Sequence, residues 1–157
     1  MFTFRSPISL IAVSFCLILL LTTGCASSKT IMEGVGVPVE DMNNELSISA
    51  PPASNTFAMG DLVTLEMVNN TDEPIIVTQE TAVHLFARQA ETWLTVANVL
   101  ESGPSNVTLL PKTVVDSRSM FFLPGVMEAN PVTIRVIVVG LMGEREVAGY
   151  LDLTLNP

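Results

Sequence analysis

The residues of this chain that could do chemistry are few. Its 157 residues contain two cysteines, Cys16 and Cys25, and one histidine, His84. A zinc site draws on several thiolate or imidazole ligands, which this inventory does not supply. His84 has no Gly-x-Ser-x-Gly elbow to work with, and it reads as a solvent-facing strand residue rather than half of a triad. Gly34-Val35-Gly36 lacks the flanking strand, helix and third glycine of a dinucleotide loop, so it reads as local flexibility and no cofactor is indicated. Carboxylates are more plentiful. The pairs Asp72 with Glu73 and Glu144 with Glu146 are of the type that binds calcium or does acid/base work on glycosides. Neither pair has the interleaved Asp, Asn and Gly of a calcium loop, and a small β domain rarely builds a sugar cleft between carboxylates. They read as solvated turn residues.

That leaves the thiol of Cys25. Residues 8–21, ISLIAVSFCLILLL, carry no charge, and Arg5 precedes them. This is the pattern of a signal-peptide core, shorter than the roughly 20 residues a helix needs to span a bilayer. Directly after it stand Leu21-Thr22-Thr23-Gly24-Cys25. The segment resembles the bacterial lipobox, with small residues before an obligatory cysteine, although Thr22 holds the place where Leu is usual. The resemblance implies cleavage between Gly24 and Cys25 and a thioether-linked diacylglycerol on Cys25, which becomes the mature N-terminus with two or three acyl chains. Two or more chains hold a protein stably, since each buried methylene contributes about 0.8 kcal/mol. The resemblance also implies a chain anchored to the cell membrane or outer membrane and facing outside the cytoplasm. Ala26 is not the Asp that it would associate with inner-membrane retention.

Composition agrees with an anchored anionic domain. The formal charge is −9, from 16 acidic and 7 basic residues, and losing the leader with Arg5 leaves 16 against 6, a charge of −10. Such a surface repels nucleic acid and is not drawn to anionic head groups, so membrane association must come from the lipid. With the leader gone and Cys25 acylated, no disulfide can form, and stability rests on packing.

Three segments follow: a leader over 1–24, a lipidated N-terminus and flexible tether over 25–44, and a domain over 45–157. The tether is rich in small and turn-forming residues and as a coil would span on the order of 25 Å, with Val35 and Val37 able to dock locally. Beyond it, short β-branched runs are separated by Gly, Pro, Asn and Asp, as in packed antiparallel sheets. Residues 62–68 alternate with a period of two and, through the turn at 69–74, predict a hairpin with 75–78. Further strands are predicted at 82–88, at 91–96 with Trp93 in or near the core, and at 118–123 before Pro124-Gly125. An irregular stretch lies between Pro104 and Pro111. A final hairpin joins 131–138 to a strand carrying Val147, Leu151, Leu153 and Leu155 through a turn at 140–143, with Thr133 and Arg135 on the wet face. No stretch has a helical period, so helices should be absent or limited to single turns.

About seven strands over residues 45–157, led by one ending in Asn69-Asn70-Thr71-Asp72-Glu73-Pro74-Ile75, resemble an immunoglobulin-like antiparallel β-sandwich of the bacterial extracytoplasmic kind. The resemblance implies architecture and no functional residue. Phe86, Ile137 and Val139 stand out as exposed apolar candidates for a partner surface, unless a neighbouring strand or loop covers them. The function expected is a non-catalytic, lipid-anchored module binding a protein or glycan of the cell envelope. The alternative is an accessory or proteinase-inhibitor-like module acting on an envelope or secreted enzyme through loops such as 101–107. A third reading is a small enzyme using Asp72, Glu73, Glu144 and Glu146.

Overall fold

The computed structural model describes residues 29–51, 55–58, 60–78, 83–96, 99–102, 106–122 and 130–157, so the leader, Gly24 and Cys25 lie outside the described residues. Among those described, the chain forms β1 (Leu46–Ser49), β2 (Thr56–Ala58), β3 (Leu62–Asn69), β4 (Ile75–Thr78), β5 (Val83–Gln89), β6 (Thr92–Thr95), β7 (Val99–Ser102), β8 (Asn106–Leu109), β9 (Val114–Phe122), β10 (Val132–Met142) and β11 (Arg145–Asn156). One 3-10 turn, Val39–Asp41, precedes them. The strands build two sheets. The smaller has the order β1-β3-β9-β7, and the larger runs β2-β11-β10-β4-β8, with β5 on β10 and β6 on β5. All pairings are antiparallel except the parallel contact of β2 with β11. This is the expected all-β sandwich, with eleven strands among the described residues where about seven were anticipated.

Alternation explains the core. Val63, Leu65 and Met67 of β3 point inward while Thr64 and Glu66 do not, and Ile134, Val136 and Val138 of β10 face them from the opposite sheet. Ile75, Val77, Val107, Leu109, Leu153 and Leu155 complete the same layer. The closing hairpin forms with register from Val132↔Leu155 to Met142↔Arg145. Its turn is only Gly143 and Glu144, with Gly143 at φ 62°. Gly140 is therefore a strand residue and not part of the turn. A side chain there would meet Ile75 Cγ2 at 2.6 Å, so glycine lets β4 lie close on β10.

Two local expectations are corrected. Residues 62–68 and 75–78 do not form a hairpin, because β3 joins the smaller sheet and β4 the larger. The connection crosses the sandwich instead, and Asn69 holds the corner. Its side chain is fully buried; Nδ2 donates to the carbonyls of Glu73 (2.7 Å) and Leu109 (3.0 Å), and Oδ1 accepts from the Thr71 N–H (2.9 Å) and hydroxyl (2.8 Å). Second, the stretch between Pro104 and Pro111 contains β8, whose Val107 and Leu109 face the core while its backbone pairs with β4.

Candidate functional site

The outer face of the larger sheet is where the structure departs most from the sequence expectation. Residues of the supposed tether lie across it as a strap. Met32, Val35, Val37 and Met42 are buried against Phe86, Ile137 and Ala148, forming a second apolar layer outside the sandwich core. The physical reason is that Ile137 and Ala148 alternate with inward Val136, Val138 and Val147, so both faces of β10 and β11 present apolar surface, and water is excluded from the second face only if chain covers it. Phe86 and Ile137 are thus covered rather than displayed, and Val139 is half-buried beside them.

Polar contacts close the strap on itself at its first end and fasten it to the sheet at the other. Lys29 pairs with Asp41 at 2.5 Å, and the Thr30 N–H donates to both Glu40 carboxylate oxygens at 3.0 and 3.2 Å. Backbone N–H donors, its own and that of Thr30, hold the Glu40 carboxyl below its ordinary range. A depressed carboxylate contributes only while ionised, so this clamp is complete above the usual carboxylate range and is lost as pH falls through the lowered value. At the other end Asn43, at φ 63°, imitates a strand neighbour of β11: its N–H donates to the Ala148 carbonyl (3.0 Å), Nδ2 to the Tyr150 carbonyl (3.1 Å), and Oδ1 accepts from the Tyr150 N–H (2.9 Å). Gly34 and Gly36 are contact residues within this strap, not free joints. Gly34 sits at φ 74° against His84, and the Glu146 carboxylate lies so close to Gly36 that a Cβ would overlap it at 2.2 Å.

Arg135, expected on the wet face, is held in a closed arrangement. Its Nε and Nη2 donate to the two oxygens of Asp152, each at 2.7 Å, while its guanidinium lies 4.4 Å from the Trp93 ring centre and 4.5 Å from that of Tyr150. The side chain is 14% exposed against 39% for Asp152. Hydrogen bonding to Asp152 outweighs desolvation and raises the guanidinium above its usual value. Trp93 is near-core, as expected, and its role is to roof this cation. Arg135→Met is expected to lower stability by about 1–3 kcal/mol, because the half-buried Asp152 loses both donors. Denaturant unfolding checks the loss, and a changed Trp93 emission spectrum places it at this ring.

The sequence-predicted carboxylates are dispersed. Asp72 is highly exposed and pairs with Lys112 at 3.5 Å. Glu73 and Glu144 are exposed, on the 69–74 connection and the closing hairpin tip. Only Glu146 comes near His84: the two line one cleft of about 360 Å³ with Ile76, Thr78, Val139 and Leu141. No hydrogen bond joins His84 to Glu146 among the described residues. A second cleft of about 520 Å³ shares Glu146 and adds Asp41, Glu45 and Arg145. Among the described residues no three His, Cys, Asp or Glu side chains are placed to hold a metal ion. Of the 101–107 segment, the described residues are strand, with Glu101 and Ser102 ending β7 and Asn106 and Val107 opening β8. Of the residues lining the cleft with His84, Ile76 and Leu141 are not marked by the sequence: each belongs to an alternating strand, and only their exposure on the finished sheet sets them apart.

No protein-family model matches the chain, and no curated protein sequence matches it. Solved structures resemble it in shape. The periplasmic chaperone SfaE is 15% identical over a match covering 71% of this chain and 56% of that one, with a TM-score of 0.47. The E. coli chaperone DraB is 13% identical, covering 71% and 55%, with a TM-score of 0.48. WR4, a C. elegans member of the MSP family, is 13% identical, covering 69% and 95%, with a TM-score of 0.38. The match thus spans little more than half the length of either chaperone.

Proposed function

We propose that this protein is a lipid-anchored, extracytoplasmic binding module of the bacterial cell envelope, without catalytic activity, whose partner is an envelope protein. The observation that carries the proposal is where the chain becomes fastened. The strap is closed on itself from Lys29 and Thr30, through Asp41 and Glu40, and is seated on the sheet from Met32 onward, while the lipobox-like motif ends at Cys25. Three residues, 26–28, separate Cys25 from Lys29, so an acylated Cys25 lies within about 14 Å of the closed end of the strap at full extension. A flexible tether of the length anticipated from sequence would lift the domain off the head groups; a strap docked this early keeps it at the bilayer surface. Among the described residues no helix is long and apolar enough to cross a membrane. An anionic domain held there by grease is suited to capturing a partner that comes to the membrane, and its open clefts lie beside the strap.

The test is intact mass measurement of protein extracted from membranes, with Cys25→Ala beside it. The expected result is a mature chain beginning at Cys25 with the added mass of two or three acyl groups, and a variant that leaves the membrane fraction. Unacylated wild-type protein, or a chain still carrying residues 1–24, would overturn the anchor. Cross-linking in intact cells then tests the binding role, with a recurrent envelope protein as the expected product.

A further inference from the structure

The larger sheet has a fork. The edge of β10 pairs with β5 from Ile134 to Val138, then with β4 at Leu141 opposite Ile76, and neither register includes Val139 or Gly140 among the described residues. Two strands therefore share one edge in succession, β5 along Ile134 to Val138 and β4 at Leu141. The 360 Å³ cleft stands over this fork on the outer face. Its size is within the range of side-chain and small-ligand pockets, which run from about 300 Å³ upward.

The lining has two parts. Ile76 and Leu141, register partners across the fork, are 46% and 41% exposed, giving an apolar floor open to solvent. Glu146 forms one wall, its carboxylate lying beside Gly36. The nearby cations are already engaged: Arg145 pairs with Glu45 at 3.1 Å and Lys29 with Asp41. Among the described residues nothing donates to the Glu146 carboxylate. An aliphatic floor ending at an unengaged carboxylate is complementary to an alkyl stem carrying a positive charge, since such a side chain lays its methylenes on apolar surface and keeps its head at the polar edge. The chain's charge of −9 would favour the approach of such a partner.

We propose that the fork cleft binds a lysine-bearing peptide segment of a partner protein, with the lysine stem on Ile76 and Leu141, its ammonium at Glu146, and a neighbouring aliphatic residue completing the contact. This assignment rests on the binding-module reading and gives that module a partner chemistry.

The probe is a fluorescently labelled, capped Ala-Lys-Val-Lys-Ala peptide, titrated by anisotropy into full-length protein in detergent, with Ala-Glu-Val-Glu-Ala as control. Saturable binding of the lysine peptide alone is expected, weakened about tenfold by Glu146→Gln and about tenfold by Ile76→Ser, each step of tenfold being about 1.4 kcal/mol. Leu141→Ser should repeat the Ile76 result, and unchanged thermal transitions show that the variants remain folded. The cleft assignment fails if the lysine peptide does not bind, or if Glu146→Gln leaves its affinity unchanged. Affinity that ignores both Ile76→Ser and Leu141→Ser reduces the effect to surface charge and also overturns it. Spermidine competing at equal affinity would overturn the peptide in favour of a small polyamine. Because acylation is read independently by mass, a failure here leaves the anchor standing, and a failed anchor leaves the cleft open to the same titration.

Discussion

Replacing Val35 by Asp is expected to release the strap and lower stability by about 2–4 kcal/mol, while the two-sheet core stays folded. Val35 is buried among side chains of the second apolar layer, where an ionised carboxylate has no donor to receive it. The cheaper outcome is for the segment to leave the sheet and carry the charge into water. That exposes Phe86 and Ile137, so the variant should bind a hydrophobic dye that the parent does not, and limited proteolysis should cut within residues 29–44. The control is Ile31→Asp, on the same segment at a position 63% exposed, where an effect within about 0.5 kcal/mol is expected. If Val35→Asp behaves like this control, the strap is not held by its apolar face. Acid should loosen the first clamp in the same direction, because protonating Glu40 removes its charge and leaves the Thr30 N–H a weaker, neutral acceptor.

Asn69→Ala is expected to cost about 3 kcal/mol, a fall in Tm on the order of 10 °C for a domain of this size. The alanine leaves the buried Leu109 carbonyl without the amide that reaches it from β3, and frees the Glu73 carbonyl and the Thr71 N–H and hydroxyl from the contacts that shape the corner. Asn69→Asp separates the two halves of this role. It preserves an acceptor for Thr71 but turns carboxylate oxygen toward two carbonyls, so it should be as damaging as alanine. An aspartate variant as stable as the parent would show that the amide's donors do not hold the connection between sheets.

Strand character was legible in the sequence because a sheet has two faces and side chains alternate between them. Val63, Leu65 and Met67, or Ile134, Val136 and Val138, announce a buried face whatever lies opposite. The β8 strand escaped notice because prolines bracket a run of only four residues, Asn106–Leu109, too short for alternation to establish itself. The candidate cleft was not legible at all. It takes His84 from β5, Ile76 from β4, Leu141 from β10 and Glu146 from β11, residues distant in the chain whose meeting depends on strand order.

The sequence by itself determined that this would be an all-β domain, strongly anionic, with a lipobox-like motif ahead of it, since composition, period and local spacing carry those facts without any partner segment. The tertiary structure alone decided which sheet each strand joined, that Asn69 turns a would-be hairpin into a bridge between layers, and that the supposed tether is a strap. The reason is common to all three. Whether Ile137 is wet or dry, and whether Val35 is loose or packed, depends on free energy gained only when segments about 100 residues apart touch, and no window of sequence contains both sides of such a contact.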